Sequence, residues 1–208
     1  NSTAGRTVSH NLGVAPEMMW VKNRNGASGG ARPWIVYHKD TGNTGYLKLN
    51  ETSALITSDP ESKFGNGTVG VSPTASGFTV AGDYEVNYSG DTYIAYLFAS
   101  LAGVSKVGNY TGTGQSGGDI NVDCGFTSGA RFVLIKRTDD TGGWWVADTV
   151  RGIVTGNESL LALNESAAAV TGYNMVKPYS AGFIVNGSGS GDNAWNDAGG
   201  SYIFYAIA

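Results

Sequence analysis

The chain has 208 residues, with 13 Lys and Arg against 17 Asp and Glu and a formal net charge of -4. That acidic balance, with no basic stripe longer than Lys136-Arg137, sets nucleic-acid binding aside, and the single cysteine, Cys124, sets an intrachain disulfide framework aside. Glycine is abundant at 32 residues without a three-residue period, while 11 Tyr and 5 Trp supply mass for a core, so neither a collagen helix nor a disordered chain fits.

The opening stretch NSTAGRTVSH lacks the apolar run of a secretory leader. MMWVK (from Met18), WIVYH (from Trp34), YLKLN (from Tyr46) and SGFTV (from Ser76) each read as strands, short and rich in β-branched and aromatic residues. TYIAYLFA, from Thr92 to Ala99, is apolar on both faces, which predicts a central strand with Phe98 buried. Glycine-, serine- and asparagine-rich runs such as NGASGGA and GTGQSGG separate these segments and supply turns. No stretch has convincing helical periodicity, and no apolar run is long enough to insert in a membrane as a helix.

The second half repeats the first in order. EMMWVKNR from Glu17 matches RFVLIKRT from Arg131, setting Lys22 on Lys136, and WIVYH matches WWVAD, setting His38 on Asp148. YLKLNETSA matches LLALNESAA, SGFTV matches AGFIV, and NYSGDTYIAYLFA matches NDAGGSYIFYAIA at the end of the chain. A matched series in one order marks a tandem duplication. The expected fold is all-β: antiparallel β-sandwich units, jelly-roll-like, over residues 1–102 and 103–208, packed tightly together, as separate or merged sandwiches. Unit one lacks a counterpart to Lys106–Tyr110, so its first strand is expected from upstream or from the second unit.

Catalytic chemistry leaves no trace. Neither His10 nor His38 recurs as His in the other copy, no Ser-His-acid set repeats, and no His/Cys spacing suits a transition metal. Asp139-Asp140 lies in TDDTGG, a hairpin turn rather than a glycosidase pair. The expectation is a protein that is not an enzyme. Two turns offer oxygen ligands that suit Ca²⁺: Asp83, Glu85, Asn87 and Asp91 in one, Asp192, Asn193, Asn196 and Asp197 in the other. Asp- and Asn-rich turns are common without a metal, and no cofactor is the preferred reading.

Binding leaves better traces. Sugars are held by aromatic faces against their C–H groups and by amides and carboxylates at their hydroxyls. The loop GDNAWNDAGG fits that composition, with Trp195 as a stacking platform and Asp192, Asn193, Asn196 and Asp197 as hydroxyl partners. Trp195 has Val86 as its counterpart, so packing common to both copies does not demand it. Trp34 and His38 are next in line, although Trp34, matched by Trp144, also reads as core.

The strings SHNLGVAPEMMWVKNR, WIVYH, SGDTYIAYLFASLAGVSKVGNYTGTG and GFTSGARFVLIKRTD together resemble a domain of tail fibre and other tail-associated proteins of bacteriophages, marine phages and prophages above all. The resemblance covers nearly the whole chain, and its most specific parts are His10–Pro16 and Thr92–Ala99. It implies a virion protein of the tail that acts outside the host at first contact, as a fibre-borne β domain in a homotrimer. The expected partners are a host-surface glycan and other parts of the fibre. The alternatives are a structural or assembly domain without a ligand and, behind it, a glycan-cleaving enzyme.

Overall fold

The structure is a computed structural model that describes residues 4–26, 30–59, 63–114, 118–187 and 194–208. The chain divides into two compact units between Ala99 and Ser100, just ahead of the boundary read from the repeat. Among the described residues every regular element is a β-strand except one 3-10 turn, Gly42–Thr44, and every strand pairing is antiparallel.

The first unit holds β1 (Arg6–Ser9), β2 (Met18–Asn23), β3 (Trp34–His38), β4 (Leu47–Lys48), β5 (Gly77–Val80) and β6 (Tyr93–Phe98). They form a four-stranded sheet, β4-β3-β2-β6, and a two-stranded sheet, β1-β5. The period of two sends Met19, Val21, Ile35 and Tyr37 to one face of the larger sheet, where they pack with Phe78 and Val80 of β5. This buried layer between two sheets is the sandwich core.

The second unit holds β7 (Ser105–Thr111), β8 (Ile120–Asp123), β9 (Phe132–Arg137), β10 (Trp144–Asp148), β11 (Glu158–Ala162), β12 (Val170–Tyr173), β13 (Val176–Tyr179), β14 (Gly182–Val185) and β15 (Ser201–Ile207). A six-stranded sheet, β12-β11-β10-β9-β15-β7, faces a three-stranded one, β13-β14-β8. Val133, Ile135, Tyr202 and Phe204 meet Val122, Val176 and Phe183 in its core.

The matched segments take matched registers. Lys22 pairs with Trp34 as Lys136 pairs with Trp144, and Tyr93 lies opposite Asn23 as Tyr202 lies opposite Arg137. The repeated Leu-Asn is a loop staple: Asn50 Oδ1 accepts the Trp34 N–H at 2.8 Å, and Asn164 Oδ1 accepts the Trp144 N–H at 2.7 Å. The repeated Gly-Phe has a steric cause. A Cβ on Gly182 would lie 2.1 Å from the Val122 carbonyl oxygen, and one on Gly77 would lie 3.0 Å from that of Val8.

One expectation is overturned. β6 is not central: among the described residues it ends its sheet, and Phe98 is half-buried rather than buried. Its counterpart β15 is central, because β7 covers its far side. Among the described residues no strand pairs with the corresponding side of β6, so the apolar string lies at an edge of its sheet.

Candidate functional site

The loop end of the first unit gathers polar and aromatic groups. Asn23 Oδ1 accepts the backbone N–H groups of Asn25 and Gly26, at 3.2 and 2.9 Å, which shapes the turn after β2. Asn25 Oδ1 in turn accepts the Thr92 N–H at 2.9 Å, fixing the turn to the start of β6. Lys22 Nζ donates to the Arg32 carbonyl oxygen, holding the far side of the loop. Lys22, Arg24, Asn25, Arg32 and the glycines Gly26 and Gly30 line a pocket of about 270 Å³.

Beside it, Asp83 organises a single helical turn. Its carbonyl accepts the Val86 and Asn87 N–H groups at 3.1 and 2.7 Å, and its Oδ1 accepts the Glu85 N–H at 2.8 Å. Four-residue spacing on such a turn brings Tyr84 and Tyr88 to one face, where their rings stack with centroids 4.2 Å apart. The Arg32 guanidinium lies 5.1 Å over the Tyr84 ring, and Tyr84 is 45% exposed. Trp34, half-buried next to this loop, tilts against the exposed Tyr96 with ring centroids 6.0 Å apart. The result is two pairs of aromatic rings, Tyr84–Tyr88 and Trp34–Tyr96, with the Arg32 guanidinium over the first.

The residues expected from sequence are dispersed. Trp195 is 1% exposed, with its ring edge-on to Trp145 and Tyr173 inside the second core. An enclosed indole cannot offer a face to a sugar, so the stacking platform is corrected to a core residue. Asn196 is fully buried: its Oδ1 accepts the Thr113 N–H at 2.8 Å and its Nδ2 donates to the Asn186 carbonyl at 3.2 Å. Asp197 pairs with Arg137 Nη1 at 2.9 Å. Asp192 and Asn193 lie outside the described residues. His38 is fully buried, and its Nδ1 accepts the Asp40 N–H at 3.2 Å, as Asp148 Oδ1 accepts the Val150 N–H at 3.0 Å. His38 is a turn cap, and no face of it reaches a ligand. Of these candidates Trp34 alone pairs with an exposed aromatic ring, that of Tyr96.

The first turn considered for Ca²⁺ is built around an ammonium group. Lys63, 5% exposed, places Nζ 2.8 Å from both Asp83 Oδ1 and Glu85 Oε2. Burial works to lower the pKa of Lys63, and the two carboxylates outweigh it and hold the amine above its ordinary value. Among the described residues no group of three or more His, Cys, Asp or Glu is arranged to hold a metal ion. Burial pushes the Cys124 thiol up to about 12, which leaves it unreactive at neutral pH.

Sequence reading missed Tyr84, Tyr88, Arg32 and Asn25. The available signal was the pair of tyrosines four apart inside GDYEVNYSGD, a stretch whose acidic residues drew the attention instead.

This all-β sandwich with a polar, aromatic loop surface has one established affiliation. The chain belongs to the family described as a domain of unknown function, DUF7483, whose model matches residues 1–208. No curated protein and no solved structure matches it.

Proposed function

We propose that the chain is a receptor-binding module of a bacteriophage tail fibre, that it binds host-surface carbohydrate, and that the loop end of its first unit makes the contact. It is a binding module rather than an enzyme. The observation that carries the reading is the Arg32–Tyr84–Tyr88 stack beside the pocket of about 270 Å³. Aromatic rings meet the C–H faces of a pyranose, while the Arg24 and Arg32 guanidinium groups suit its hydroxyls. A pocket slightly below the usual range of about 300–1,000 Å³ for whole ligands suits one sugar ring of a longer glycan. The sequence resemblance supplies the tail and the host surface, and the low charge with Gly-, Ser- and Asn-rich loops agrees with it.

The test is binding of the full chain to candidate host cells and to a glycan array, with soluble sugar as competitor. Tyr84→Ala is expected to abolish binding and to lower the melting temperature only slightly, because the ring is 45% exposed and lies outside the buried core cluster. Sugar-independent binding, or full binding by Tyr84→Ala, overturns the assignment of this surface.

A further inference from the structure

The first unit buries an ammonium group where the second buries a thioether. Lys63 adjoins the first core, and its Nζ lies 5.2 Å from the centroid of the buried Tyr46 ring. Nζ touches two carboxylates, Asp83 Oδ1 and Glu85 Oε2, each at 2.8 Å. The Asp83 side chain is fixed twice, because its Oδ1 also accepts the Glu85 N–H at 2.8 Å. An amine, a fixed carboxyl group and a second carboxylate therefore meet at one buried point.

The second unit shows that the fold itself does not need these charges. Ala81, just past β5, donates its N–H to the Lys63 carbonyl at 3.1 Å, and Asn186, just past β14, donates its N–H to the Met175 carbonyl at 2.9 Å. Lys63 and Met175 hold equivalent places, and Met175 is fully buried in the second core. Glu85 precedes Val86 as Ala194 precedes Trp195. A thioether and a methyl group thus serve where the first unit has an ammonium and a carboxylate. Exchanging buried ions for apolar groups of similar volume is commonly neutral or stabilising. Packing does not account for the charges, and their mutual contact is the feature to explain.

We propose that Lys63 and Asp83 condense to an intramolecular isopeptide bond, with Glu85 moving the protons. Glu85 takes one proton from the ammonium and passes it to Asp83 Oδ2, which turns the ion pair into a neutral amine beside a neutral carboxyl group. The Nζ lone pair attacks Asp83 Cγ and forms the C–N bond. The C–Oδ2 bond breaks with its electron pair on oxygen, a second proton travels from Nζ through Glu85 to that oxygen, and water leaves. Glu85 ends as the carboxylate it began as, and nothing is oxidised or reduced. At rest the two carboxylates keep the amine charged, so the neutral pair is a minor state. The bond has to form only once per chain, and groups held in contact react at effective concentrations on the order of 10⁵ M or more. The product closes a loop around β5 and ties down the turn that carries Tyr84 and Tyr88. The proposal does not depend on carbohydrate binding.

The test is the intact mass of the full chain, read after purification and again after days at neutral pH. The parent is expected to be one water lighter than its sequence. Lys63→Met, which copies the second unit, and Glu85→Gln are each expected at the full mass of their own sequence, with the circular dichroism of a folded chain. Either variant alone suffices if the other misfolds. Digestion of the parent is expected to leave Lys63 uncut by trypsin, and a second protease that cuts between the two residues is expected to leave peptides joined from Lys63 to Asp83. A parent that stays at full mass overturns the proposal. So does a lost water that persists in Lys63→Met, which would mark an aspartate succinimide. So does a link that maps to Glu85 instead of Asp83, or one that forms fully in Glu85→Gln, which would leave Glu85 without its role.

Discussion

β6 and β15 come from nearly the same string, TYIAYLFA and SYIFYAIA, and they make the same pairs with β2 and β9. Even their tyrosine hydroxyls act alike: Tyr93 accepts the Tyr88 N–H at 2.8 Å and Tyr202 accepts the Asp197 N–H at 2.8 Å. Yet Tyr202 is 1% exposed and Tyr93 is half-buried. The difference lies in β7, which covers one, while no strand covers the other among the described residues. Register is decided by the two strands that share it. Burial is decided by a third strand that neither string encodes.

The sharpest way to break that comparison is to delete the two tyrosines in turn. Tyr202→Ala removes a ring stacked on Tyr110 and is expected to cost roughly 3–5 kcal/mol, the range for a buried aromatic. Tyr93→Ala opens onto an existing cleft, creates little new void, and is expected to cost about 1–2 kcal/mol. Denaturant midpoints of the full chain read both. Equal losses would mean that β7 contributes no protection to its side of the sheet.

A second difference is titratable. Glu158, on β11 of the second unit, is fully buried, and its Oε1 accepts the N–H groups of Met175 and Val176. Burial pushes its carboxyl up to about 7 against the pull of those two amides. Between the ordinary value of 4.5 and about 7, the folded chain holds a proton that the unfolded chain has released, so this group makes stability fall as pH rises through that window. Glu158→Gln keeps an oxygen acceptor and removes the titration. It is expected to flatten that part of the stability profile and to be more stable than the parent at pH above the window. An unchanged slope between pH 4.5 and 7 would show that another group governs it.

How far the sequence could be read follows from the same logic. The strands and their antiparallel class were legible, because each is a local pattern of alternating and apolar residues. The position of β6 was not, because apolarity on both faces reports what a strand tolerates rather than what lies beside it. Trp195 misled for a related reason. Its unmatched status marked it as dispensable to shared packing, and the structure shows that it fills a space specific to the second core, where Val86 leaves a cleft in the first. The Tyr84–Tyr88 stack needed a helical turn that five residues closed by Asp83 do not announce.

The smallest expected effect tests what the two units have in common. Asn50 and Asn164 each take the N–H of the tryptophan that begins the second strand of a hairpin, and the preceding residue pairs back: Leu49 N–H to Trp34 O at 3.0 Å, Leu163 N–H to Trp144 O at 2.9 Å. Replacing either asparagine by alanine removes one side-chain hydrogen bond and leaves the amide with water as its alternative partner at the strand end. The expected cost is about 1 kcal/mol at each site, the net value of one such bond. Since Trp144 is buried and Trp34 half-buried, any asymmetry should fall on Asn164→Ala, where the orphaned amide is harder to hydrate. The double variant should cost the sum, because the bonds lie in different units and share no partner. A larger loss for Asn50→Ala than for Asn164→Ala would mean that the first hairpin depends on its staple more than its exposure allows, and that the matched bonds do unequal work.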